Sequence, residues 1–164
     1  MNNLAFDFSV NKENNTISVK REFAADAATV WDAFTKSEIL DQWWAPKPWK
    51  SRTKTMDFKE GGTRLYAMLG PAGEEHWAMF DYQKIQEPTF FSGLDGFTDA
   101  EGVMNTDMPR MHWEVSFKDQ GSNTLVDILI KFDDLEQLEK IIEMGFREGF
   151  TMAMGNLDEL LEVR

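Results

Sequence analysis

"DDLEQLEKIIEMGFREGFTMAMGNLDELL", residues 133–161, follows a series of segments that alternate every two residues, and its own apolar residues recur every three to four. Asp133 with Glu136 three residues on resembles a capping box, so the pattern predicts one long helix from here to Leu161. Three glycines fall inside it, Gly145, Gly149 and Gly155. Each costs a helix interior about 1 kcal/mol relative to alanine. At 100° per residue, Leu135, Leu138, Ile142, Gly145, Gly149, Ala153, Asn156 and Leu160 share one stripe, opposite a charged arc that includes Lys140, Arg147 and Asp158. The stripe is bulky at both ends and almost bare in its middle. Either the helix backbone closes on the sheet there, over a residue such as Trp77 or Trp113, or a void remains, or the helix is bent or frayed. Gly155 falls on the solvent side with Thr151 and marks a bend.

Upstream, "TISVKREF" (16–23) alternates as a half-buried strand, with Ile17, Val19, Arg21 and Phe23 on one side. Asp26 caps a short helix carrying Val30, Trp31 and Phe34, and Ser37 is placed to cap a second, "SEILDQWW", which ends before Pro46 and Pro48. Six strand-like runs follow, at 52–58, 63–69, 76–86, 89–97, 110–117 and 124–132, with turn chemistry at "KEGG", "GPAGEE", "EP" and "KDQGSN" and a longer loop at 98–109. Strands joined by short turns make an antiparallel sheet. The expected fold is α+β: about seven strands, two short helices after the first, and a long C-terminal helix covering the sheet. Residues 1–15 are read as an N-terminal arm, either strand-like or a loosely held terminus, and 16–164 as a single domain.

At 164 residues the chain has the length of one domain, with a core its 42% apolar fraction can fill. The net charge of −12 (29 acidic, 17 basic residues) disfavours nucleic acid and anionic membrane surfaces. No run is long enough to span a membrane, and "MNNLAFDFSVNKENN" has no secretory pattern. Without cysteine there is no disulfide, thiolate nucleophile or thiolate metal site. The expected location is cytoplasmic.

The stretch "DQWWAPKPWKSRTKTMDFKEGGTRLYAMLGPAGEEHWAMFDYQKIQEPTFF" (41–91) resembles the Aha-type family, homologues of the activator of the ninety-kilodalton heat-shock-protein ATPase. The shared pattern is a Trp-Trp before a proline loop, a strand into "DFKEGG", then "GPAG" and an "x-I-x-x-P" turn. "VKREFAADAATVWDAFT" (19–35) and "EGFTMAMGNLDELL" (148–161) extend the similarity over nearly the whole chain from residue 16. The resemblance implies a START-like helix-grip fold, a curved sheet wrapped around the terminal helix, and superfamily members commonly enclose an apolar cavity between the two. It names no activity, since fold alone does not. The chaperone activators also carry an additional N-terminal domain with a basic, Asn- and Trp-containing signature, and residues 1–15 hold nothing like it.

Catalytic and metal motifs are sparse. His76 and His112 each precede a tryptophan, and Glu114 shares a face with His112; these three meet at a metal only if the strands pair in the right register. Asp81, on the face of Trp77 and Met79, and Asp127, on the face of Leu125 and Leu129, are carboxylates in strands that would act as acid or base if buried beside a cavity. Nucleophile and phosphate-loop motifs are missing.

The sequence thus points to a protein that binds a small apolar or amphipathic molecule, with no cofactor, no metal and no assigned catalysis. The expected cavity wall is Trp77, Met79, Trp113, Phe146, Gly149, Phe150, Ala153 and Asn156, with Trp44 at the mouth. A chaperone-associated or other protein-binding role through exposed aromatics of "WWAPKPW" (43–49) is one alternative, and an enzyme using a cavity carboxylate the other. Oligomeric state is not encoded in any feature of the sequence.

Overall fold

The computed structural model describes residues 4–162, so residues 1–3 of the expected arm, with 163–164, lie outside the described residues. Eight strands form one antiparallel sheet: β1 (Phe6–Asn11), β2 (Thr16–Phe23), β3 (Lys50–Met56), β4 (Thr63–Leu69), β5 (Glu75–Gln86), β6 (Phe90–Thr98), β7 (His112–Gln120) and β8 (Asn123–Lys131). Their spatial order is β1-β2-β8-β7-β6-β5-β4-β3. The strand beyond the seven expected is β1, in the amino-terminal arm. It pairs with β2 and buries Phe8 against Val19.

Because β2 lies near one edge of the sheet and β3 forms the other, the chain between them must cross a face. It does so as two helices, α1 (Ala27–Thr35) and α2 (Ser37–Trp43). Asp26 caps α1, accepting from the Thr29 N–H at 2.9 Å. Ser37 does not cap α2: Lys36 stands at that position without a side-chain capping bond, and Ser37 is the first helical residue. Alternation holds in β2, β7 and β8, where Ile17, Val19, Phe23, Val126, Ile128 and Ile130 are fully buried.

The terminal segment departs from one long helix. α3 (Leu135–Glu143) ends at Met144, and α4 (Phe146–Glu162) begins two residues later. Gly145 separates them at φ +89°, a left-handed conformation that a residue with a Cβ adopts at a cost. Its N–H bonds to the Ile142 carbonyl at 3.0 Å, and its own carbonyl accepts from Gly149 at 2.9 Å, so one glycine closes α3 and opens α4. Asp134, not Asp133, caps α3 by accepting from the Gln137 N–H. The break resets the angular phase, and the continuous wheel fails across it. In α4 the buried residues are Phe150, Ala153, Met154, Asn156, Leu157 and Leu161, so Ala153 and Asn156 of the expected stripe are buried while Gly149 and Leu160 are only half-buried.

α4 is fastened at two points. Asn156 donates to the Trp43 and Ala45 carbonyls, satisfying acceptors at the end of α2. Asp158 pairs with Arg21 of β2. No helix of the described residues is long and apolar enough to cross a membrane.

Candidate functional site

A cavity of about 240 Å³ lies between the concave face of the sheet and the α3–α4 junction. Strand parity decides what reaches it. Tyr66 pairs with Ala78 across β4 and β5, Ala78 with Phe97 across β5 and β6, and Phe80 with Asp95. The residues of β5 facing the concave side are therefore Ala78, Phe80 and Tyr82, and the alternate set, Trp77, Met79 and Asp81, belongs to the other face. The helices contribute Ile141, Met144, Gly145, Phe146, Gly149 and Phe150.

Six expected wall residues line the cavity: Trp44, Trp77, Trp113, Phe146, Gly149 and Phe150. Trp44 donates its indole N–H to the Tyr66 hydroxyl at 3.1 Å and packs on Trp113 and Phe150. Trp77 borders the cavity despite its parity, with its indole N–H held by Glu75 and the Lys54 ammonium over its ring. Three expected residues do not line it. Met79 is on the far side of the sheet, where the loop after β6 brings Gly102 toward it and Leu65. Ala153 is buried in helix packing, and the Asn156 amide is consumed by the two carbonyls at the end of α2.

The glycines open the site. A Cβ added at Gly145 would meet nothing within 4 Å, and one at Gly149 would touch only Pro46, at 3.7 Å. Gly155 also faces open space, away from the cavity lining.

Below the cavity is a polar arrangement with no apolar-pattern signature. The Arg64 side chain is 4% exposed. It bonds to Asp41, Ser51 and Thr53 and lies 3.9 Å from the centre of the Tyr66 ring. Asp41 accepts from Ser51, from the Thr53 N–H and hydroxyl, and from Arg64, which fixes α2 to the β3 edge. A buried charge of this kind is tolerated because it is paired and hydrogen-bonded. Its guanidinium supports the ring of Tyr66, whose phenol is pushed above its ordinary range by burial.

Asp95 is the carboxylate in the lining. One oxygen accepts from the Met111 N–H and the other from the Trp113 indole N–H, both at 2.8 Å. Burial pushes its carboxyl up to about 7, against those two donors and the nearby Arg110. The carboxylates expected from sequence lie elsewhere. Asp81 accepts from Thr63 and pairs with Arg110, and Asp127 pairs with Lys118. Their strand positions are on the convex face.

His76 and His112 sit on opposite faces: His76 packs against Trp49 in a tilted arrangement at the cavity rim, and His112 meets Gln83 on the convex side. Glu114 is paired with Lys131. Among the described residues no cluster of three or more His, Asp or Glu is placed to hold a metal. The aromatics of 43–49 are not a free surface. Trp43 is 1% exposed with its indole bonded to the Ala33 carbonyl, Trp44 is inside the cavity wall, and Trp49 packs on His76.

Comparison with known proteins agrees with this architecture. Residues 24–162 match the family described as "Activator of Hsp90 ATPase homolog 1-like protein", and the chain belongs to that family. A crystal structure of a Mycobacterium smegmatis protein is 28% identical, covering 96% of each chain, with a TM-score of 0.88. A solution structure from Arthrobacter aurescens is also 28% identical, covering 96% of this chain and 92% of that one, at 0.91. A Silicibacter pomeroyi protein of 17% identity, covering 90% and 98%, shares the fold at 0.70. No curated protein matches the chain.

Proposed function

We propose that this member of the activator-homologue family binds a small apolar or amphipathic molecule between its sheet and the α3–α4 junction, in the cytoplasm. The supporting observation is the bare backbone of Gly145 and Gly149 facing a cavity whose other walls are Trp44, Trp113, Phe146 and Phe150. Apolar walls with a few placed polar groups are the usual composition of a ligand site. A volume of about 240 Å³ is near the small end of such sites, which limits the occupant to a small organic molecule. Tyr66 and Asp95 are its polar anchors.

Gly149→Leu tests this. An isobutyl group at 149 enters the cavity, so the folded variant loses binding of an environment-sensitive apolar dye while stability changes little. If the region is solid instead, the variant loses about 1–3 kcal/mol through overpacking. Unchanged dye binding by the folded variant sinks the proposal. The protein-binding alternative draws support from the family description. Its marker is stimulation of the ninety-kilodalton chaperone ATPase by the purified protein. Stimulation that survives Gly149→Leu would separate that role from the cavity.

A further inference from the structure

Resting on the ligand-binding reading above, we infer that the cavity selects an organic cation, an apolar amine or quaternary ammonium, whose charge sits against Asp95 among the tryptophan and phenylalanine rings. Three observations converge. First, the described residues of the lining include no lysine or arginine, and their ionisable side chains are Tyr66, His76 and Asp95. An anionic head would meet no permanent positive charge there. Second, no ion pair among the described residues involves Asp95. Each of its oxygens holds one donor and keeps acceptor capacity. Third, Trp44, Trp113, Phe146 and Phe150 pack with centroids 5.3–6.1 Å apart, and aromatic faces attract cations.

The cations nearby are already engaged. Arg110, from the loop before β7, donates to the Asp95 and Leu94 carbonyls and to the Asp81 carboxylate. Arg64 of β4 is held by Asp41, Ser51 and Thr53. His76 of β5 is at the rim beside Trp49, and α3 and α4 bring no charged side chain into the lining. A bound cation would replace the water that burial removes from Asp95 and favour its ionised form. The net charge of −12 raises the local concentration of cations before they enter.

The probes are benzyltrimethylammonium, which carries a permanent charge, and neopentylbenzene, its neutral carbon isostere. Affinity is read by displacement of the apolar dye and by tryptophan fluorescence, between pH 5.5 and 8.5. The cation should bind at least about tenfold tighter than the isostere at pH 8. That preference should fade as pH falls through about 7, where Asp95 takes up a proton. Asp95→Asn should abolish both the preference for the cation over the isostere and its pH dependence. If dye and isostere bind but the cation binds no better at any pH, the cation assignment is overturned and the apolar cavity stands. If the variant keeps the full preference, Asp95 is not the partner and the inference also falls. If neither dye nor probes bind, both readings fall together.

Discussion

The concave face of this sheet carries two aromatic groups that are covered in opposite ways. Under α1 and α2, Trp31 stands 5.0 Å from Phe117 and 6.0 Å from Phe91, and Phe34 fits between Trp43 and Phe117 at 4.8 and 5.3 Å. Helix and sheet both supply bulk, and the rings meet edge to face, which fills the space. Under α3 and α4, Trp44, Trp113, Phe146 and Phe150 are as aromatic, yet Gly145 and Gly149 leave bare backbone between the helical side chains, and a cavity remains. Aromatic content therefore does not decide whether a region is core or site. What decides it is whether the opposing element contributes a side chain at every position of the contact.

Removing bulk should affect the two regions differently. Trp31→Ala, in the filled half, should cost about 3–5 kcal/mol in urea unfolding while the folded fraction binds apolar dye as before. Loss of dye binding in that folded fraction would mean that the two regions form one continuous site.

A smaller effect separates the regions by charge. The Asp95 carboxyl ionises near 3.8 ordinarily but near 7 in the folded protein. Between those values the native state holds more protons than the unfolded chain, so this group's contribution to stability declines as pH rises from about 4 to about 7 and is constant above. Urea midpoints across that range should show the decline, and Asp95→Asn should flatten that component. An unchanged slope in the variant would show that the carboxyl is well solvated and the cavity floor wet.

The smallest effects come from adding a single methyl group to the glycines. Gly149→Ala should stabilise by about 0.5–1 kcal/mol, because the new Cβ has room beside Pro46 and restricts the unfolded chain. Gly145→Ala should destabilise by about 1–2 kcal/mol, because φ +89° is unfavourable for any residue with a Cβ, although the space is empty. Thermal melts of the two variants should therefore move in opposite directions. A drop at Gly149 would show that the cavity wall is closed there.

Much of this was legible in the sequence. The alternation of "TISVKREF" and "RMHWEVSF" placed Ile17, Val19, Phe23, Trp113 and Phe117 inward, and Asp26 announced α1. The bare middle of the terminal segment pointed to Gly149 and, through it, to Phe146 and Phe150. The inward face of β5 is not the one expected from Trp77 and Met79, because "HWAMFDYQ" has large residues at both parities. Its register to β4 and β6 selects Ala78, Phe80 and Tyr82 for the inside. Asp95, a lone acid in "FFSGLDGF", is a signal of the same kind as Asp81, and periodicity alone does not separate the two. Arg64 gave no sign, since its partner Asp41 is on a helix and Ser51 and Thr53 are on a neighbouring strand.

By itself the sequence determined the elements, their order and the place where a helix would lack side chains, because these depend on neighbours three or four residues apart. Whether Gly145 continued a helix or broke it was settled by the tertiary structure. So were the face of β5 turned inward and the choice of Asp95 over Asp81 as the carboxylate within the hollow. Those outcomes depend on strand register and on contacts between distant segments, where a shift of one residue exchanges inside for outside.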